Sequence, residues 1–149
     1  MLQFFKIKIA IMASAKDLIQ YSQKLRLLYV EDDDKLREDT LRLLSTFFSQ
    51  ISVAKNGQEA LDIYLPGEFD IVISDLVMPV MKGTDLARAI KKQQAAQMLV
   101  IMSAHDEKDV TDELQEIGVD EFIHKPLEIH AFIDKMVIIC RQLAERQGA

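Results

Sequence analysis

Almost nothing in this sequence serves to cross-link, to span a bilayer or to repeat. A single cysteine among 149 residues excludes an internal disulfide. Cys140 falls at an apolar position of a helical pattern, where a packed and inert thiol is expected. No apolar run reaches the roughly 20 residues that a spanning helix needs. The most apolar stretch, MLQFFKIKIAIM at the N-terminus, is cut by Lys6 and Lys8 and lacks the basic start and small-residue cleavage site of a secretion signal. Within it Phe5, Ile7, Ile9 and Ile11 alternate with the period of a strand. There is no Walker-type loop and no GxGxxG, so a nucleotide-binding enzyme has no support. The three histidines, His105, His124 and His130, have no metal-ligand spacing. Internal repeats, low-complexity tracts and Pro/Ser-rich linkers are missing. Positive charge is also short, with 18 Lys and Arg against 24 Asp and Glu, a net charge of -6. That balance opposes nucleic acid and anionic membrane surfaces as partners, and the cytoplasm is the expected compartment.

What remains is the composition of a globular domain, 49% hydrophobic and 28% charged, at a length that suits one domain. From Leu25 the chain alternates short apolar runs with amphipathic segments. Strands are expected at Leu25–Val30, Ile51–Ala54, Ile71–Ser74, Met98–Met102 and Glu121–Ile123. Between and after them lie helical stripes: Leu36 to Phe48, capped by Asp33 or Asp34; Ala60 to Leu65, after an Asn56-Gly57 turn; Leu86 to Ile90, capped by Thr84; Val110 to Ile117, closed by Gly118; and Ile129 to Leu143. Strict strand–helix alternation with continuous apolar strands predicts an α/β fold, a doubly wound five-stranded parallel sheet with helices on both faces. The expected units are an N-terminal extension over 1–24 with a short extra helix near Asp17–Lys24, a main domain over 25–143 and a tail over 144–149. Met78, Met98, Met102 and Met136 are read as core filling.

In such sheets, sites form beyond the carboxyl ends of the strands. That edge collects Glu31–Asp34, Asp75, Ser103 and Lys125. Glu31 and Asp32, at the strand tip, are placed to bind a hard divalent cation such as Mg²⁺, which takes one or two carboxylates plus water and phosphate oxygens. Asp33 and Asp34 suit a helix N-terminus, where negative charge is favoured. Asp75 ends an apolar strand and could act as a nucleophile towards phosphorus, giving an acyl phosphate. A metal ion and Lys125 would then neutralise the phosphoryl oxygens, and Ser103 could hydrogen-bond the attached group.

Four stretches, LLYVEDD (Leu27–Asp33), DIVISDLVMPVMKG (Asp70–Gly83), VIMSAH (Val100–His105) and DEFIHKPL (Asp120–Leu127), in this order and spacing, resemble the receiver domain of two-component response regulators. The resemblance covers about four-fifths of the chain. It implies a flavodoxin-like (βα)5 fold with strand order 2-1-3-4-5. It implies Asp75 as phospho-acceptor, Glu31 and Asp32 as the acidic pair around Mg²⁺, the Val77 backbone carbonyl as a further metal ligand, and Lys125 as phosphoryl contact. Ser103 would be the switch hydroxyl and Phe122 the switch aromatic. The implied partners are a sensor histidine kinase or phosphotransfer protein upstream, and a downstream protein or a second copy through the region 106–143. Lys82 stands where an Asn or Asp usually precedes the glycine, and Val77 and His105 occupy positions that tune acyl-phosphate lifetime. A phosphohydrolase working through its own aspartyl phosphate would want a second Asp at position 77, which here is Val77. The intact Asp32, Asp75, Ser103 and Lys125 argue against a receiver-like domain that has lost phosphorylation.

Overall fold

The computed structural model of the chain describes residues 2–104 and 108–146. The elements run α1 (Leu2–Ser22), β1 (Arg26–Val30), α2 (Asp34–Phe47), β2 (Gln50–Ala54), α3 (Gly57–Ile63), β3 (Ile71–Asp75), α4 (Gly83–Gln93), β4 (Met98–Ser103), α5 (Lys108–Ile117), β5 (Glu121–His124) and α6 (Ile129–Arg146). All five strands are parallel, in the order β2-β1-β3-β4-β5. β3 and β4 are buried along their whole length, as central strands covered on both faces must be.

One apolar layer lies under α1, α2 and α6 and is built on Leu27, Tyr29, Ile73, Val100, Phe132, Met136 and Cys140. A second, on the other face, gathers Leu28, Val30, Val72, Leu86, Ile90 and Leu99. Adjacent strand residues serve opposite layers, because side chains alternate across a strand. Burial pushes the Cys140 thiol up to about 12, which removes the thiolate that reactivity needs. The four methionines expected in the core are all buried.

Three local readings change. Residues 2–22 form one helix, so neither the strand-like alternation over Phe5–Ile11 nor a short helix confined to Asp17–Lys24 describes the N-terminus. Its second half is fixed by tertiary contact. Leu18 is fully buried, the Ser22 hydroxyl donates to the Phe47 carbonyl, and Arg141 lies over the Tyr21 ring at 5.7 Å. Asn56 caps α3 through its side chain, accepting from the Glu59 N–H at 2.8 Å. Thr84, expected to cap α4, lies inside that helix. Lys82 takes the cap position without a side-chain bond, since its ammonium has no acceptor to offer, and the Gly83 N–H is held instead by the Leu76 carbonyl at 2.8 Å.

Candidate functional site

The carboxyl edge of the sheet is assembled from four strand ends. β1 delivers Glu31 and Asp32. The Glu31 N–H bonds the Ala54 carbonyl at 3.1 Å, tying the tip to the edge strand β2. Asp33 then caps α2 through Leu36 N–H at 2.8 Å, which turns the chain sharply after Asp32. β3 delivers Asp75, whose Oδ1 accepts from the Leu76 N–H at 2.8 Å. β4 ends at Ser103, whose carbonyl accepts the Lys125 N–H at 2.9 Å, so the β5 tip is drawn to β4 where the lysine begins. The Lys125-Pro126 peptide is cis.

These elements bring Glu31, Asp32 and Asp75 together, with a carboxylate oxygen from each within 4.8 Å of the others. Lys125 Nζ reaches Glu31 Oε1 at 2.7 Å and Asp75 Oδ1 at 3.1 Å. Glu31 is 1% exposed and Asp75 8%, so the group is sheltered but Asp75 keeps an opening to solvent. Three carboxylates face one ammonium here. Burial alone would lower the Lys125 ammonium, but its hydrogen bond to Glu31 and the charge of Asp75 outweigh burial and hold it above its ordinary value. Among the described residues Asp32 has no cationic side-chain partner. Burial, then its hydrogen bond to Glu31 and the neighbouring negative charges, hold its carboxyl above the usual range. An all-oxygen donor set carrying about two uncompensated negative charges fits a hard divalent cation.

The loop after Asp75 is drawn tight. A Cβ on Gly83 would meet the Asp75 carbonyl at 2.4 Å and the Leu76 Cα at 2.7 Å, so only glycine fits there. At its tip Val80 has φ +70° and is 82% exposed, a costly conformation for a β-branched residue. Val77 is exposed at 61%. It lines a cavity of about 540 Å³ with Lys82, Thr84 and Glu113, so Lys82 stands beside the loop. Ser103 is buried and paired across strands with His124. Phe122 pairs across strands with Ile101, not with Ser103. Its ring packs on the cluster of Leu76, Ile101 and Leu114 and meets His124 edge-on at 5.0 Å. Its carbonyl accepts from Lys135 Nζ at 2.5 Å. His105 lies outside the described residues.

One residue that sequence reasoning passed over is Arg37. Its Nη1 donates to the Glu31 carbonyl at 3.0 Å, and its Nη2 pairs with Asp34 at 2.5 Å. It therefore pins the backbone that carries the acidic pair. The only signal was an Arg three residues after an Asp at a helix start.

A family model described as response regulator receiver domain matches residues 27–137. Among curated relatives, a response regulator MprA of Mycolicibacterium vanbaalenii is 26% identical over 125 residues, covering 84% of this chain and 54% of the relative. The response regulator ArlR of Staphylococcus aureus is 27% identical, covering 81% of this chain and 55% of that protein. The chain thus spans about half the length of these relatives. Among solved structures, the non-phosphorylated HemR receiver domain of Leptospira biflexa is 32% identical with a TM-score of 0.72, covering 78% of this chain and 94% of that one. The N-terminal domain of an uncharacterised Wolinella succinogenes protein is 26% identical with a TM-score of 0.75, covering 83% and 99%.

Proposed function

Because this chain belongs to the response regulator receiver domain family of two-component systems, we propose that it is a signalling receiver that catalyses its own phosphorylation and dephosphorylation at Asp75. The observation that carries this reading is the convergence of Glu31, Asp32 and Asp75, with Lys125 bonded to both Glu31 and Asp75. An Asp75 carboxylate oxygen attacks phosphorus and forms a P–O bond as the P–N bond to the donor's phosphohistidine breaks, the imidazole leaving with the electron pair. Lys125, already held between two carboxylates, offsets charge on the incoming phosphoryl oxygens without having to reorganise.

Mg²⁺ is the cation assigned to the acidic group, held by Glu31, Asp32 and Asp75 with the Val77 carbonyl. When bound it supplies charge neutralisation to the phosphoryl oxygens. Ser103 then moves to hydrogen-bond the attached phosphoryl group, and Phe122 turns inward towards the space it leaves, shifting a pre-existing equilibrium. Val77 and His105 occupy the positions that influence how long the acyl phosphate survives, and Lys82 places a mobile cation beside the loop that carries Val77.

The upstream partner is a sensor histidine kinase or phosphotransfer protein. In support, an apolar cleft of about 440 Å³ opens beside Lys125, lined by Leu36, Leu43 and Pro126, which suits a protein donor better than a small polar one. The output surface runs over the region 106–143 to a downstream protein or a second copy. Ile129 and Ile138, both about half exposed, offer apolar anchors within it. Among the described residues no helix is long and apolar enough to cross a membrane, and the cytoplasm is the proposed location.

The test is incubation with phosphoramidate and Mg²⁺, followed by intact-mass spectrometry. One phosphoryl adduct is expected in the wild type and none in Asp75→Asn. An undiminished adduct in that variant overturns the assignment.

A further inference from the structure

We infer that the first turns of α1 are a lipid-surface anchor that seats the receiver on an anionic bilayer. Every residue from Leu2 to Ile9 is exposed. Among them Leu2, Phe4, Phe5, Ile7 and Ile9 leave 48–70% of their surface in solvent. Scattered exposed apolar side chains are ordinary, but five within eight residues of one helix are not. This is not a trailing end. The same helix is clamped to the body ten residues later by buried Leu18, by Ser22 on the Phe47 carbonyl and by Arg141 over Tyr21.

The kind of partner follows from shape and charge. At about 100° per residue the five apolar side chains spread over more than half of the helix circumference, with no narrow seam. A paired helix or a shallow protein groove would cover only one side. A helix apolar on most sides is satisfied where the surroundings close over it. The three lysines Lys6, Lys8 and Lys16 precede the first acidic residue, Asp17, and all 24 carboxylates of the chain follow. The whole-chain charge of -6 therefore hides a basic N-terminal segment that complements anionic headgroups.

Lys8 Nζ lies over the Phe4 ring at 5.6 Å, the arrangement of a side chain that can run its stem along apolar surface and lift its charge to the interface. Leu2 to Ile9 spans roughly 10 Å, enough to enter one leaflet of roughly 15 Å of hydrocarbon and too short to cross. This agrees with the lack of a spanning helix among the described residues.

The experiment is flotation of the full chain with vesicles of equal phosphatidylglycerol and phosphatidylcholine, against phosphatidylcholine alone, at low salt. The bound fraction should be about tenfold larger on the anionic vesicles. Phe4→Asp with Phe5→Asp should fall to background, and Lys6→Gln with Lys8→Gln should lose the preference for anionic lipid. Circular dichroism and melting should be unchanged in both, since these exposed side chains do not support the body. Failure of the wild type to float on anionic vesicles overturns the inference, as does equal flotation of the Phe4/Phe5 variant. A vesicle-free dimer that the Phe4/Phe5 variant dissolves, without flotation of the wild type, assigns the surface to a second copy instead.

Discussion

The two edges of the sheet solve the same problem, closing strand ends that carry charge, in opposite ways. At the amino edge Arg26 meets Asp70 through its backbone N–H at 2.7 Å and its guanidinium at 3.2 Å, with Glu68 at the rim. One cation there is shared between a close carboxylate and a distant one, and the Arg26 side chain stays 39% exposed. At the carboxyl edge three carboxylates crowd one part-buried lysine, and Asp32 is left with a raised pKa. The left-handed backbone positions of the amino edge are filled by glycines, Gly67 (φ +83°) and Gly118 (φ +96°), that of the carboxyl edge by Val80 (φ +70°). One edge is relaxed, and the other holds charge and backbone away from their local optima. Functional sites retain such costs because the surrounding structure enforces them.

The widest separation between the edges should be chemical. Asp75→Asn should remove the phosphoryl adduct entirely, while Asp70→Asn, an equal change at the other edge, should leave its yield intact by mass spectrometry. Loss of the adduct in Asp70→Asn would break the contrast. In stability, Lys125→Met strands Glu31 and Asp75 in a buried setting and should cost on the order of 3 kcal/mol in urea unfolding. Arg26→Met, at a partly exposed pair, should cost about 1 kcal/mol or less.

Asp32→Asn should go the other way and stabilise. A carboxyl whose folded pKa is raised opposes folding at neutral pH, and that penalty fades as pH falls through the folded pKa towards the unfolded one. The melting temperature of Asp32→Asn should therefore exceed wild type by about 2 °C at pH 7, and the gap should close near pH 4. The gap should also close when Mg²⁺ is added to the wild type at pH 7. The smallest effect belongs to the backbone. Val80→Gly should gain about 0.5 kcal/mol by relieving the left-handed valine, whereas Gly67→Val should lose stability.

How far the sequence discloses this depends on range. The central strands were legible because burial on both faces makes continuous apolar runs such as Ile71–Ser74, and the site because strand ends in a parallel sheet share one edge. Thr84 misled because the cap of α4 is decided by the Gly83–Leu76 bond across the loop, which no local pattern shows. Phe5–Ile11 misled because alternation over so few residues also suits a helix apolar on most sides. Arg37 stayed hidden because its spacing from Asp34 reads as an ordinary surface pair, while its hold on the Glu31 carbonyl leaves no mark in side-chain spacing.

The burial of Leu18 and the tie from Ser22 to Phe47 bear on how this receiver could be moved between proteins. The family match begins at residue 27, and a fusion joint cut there would look clean in sequence. It would strip away the helix that packs on α6 and α2 and leave apolar surface there without cover, turning a modular part into one that binds whatever apolar surface lies nearby. The portable unit begins ahead of Ala15, the first described residue of α1 that packs on this core, so recombination that respects the fold would carry the helix along with the sheet.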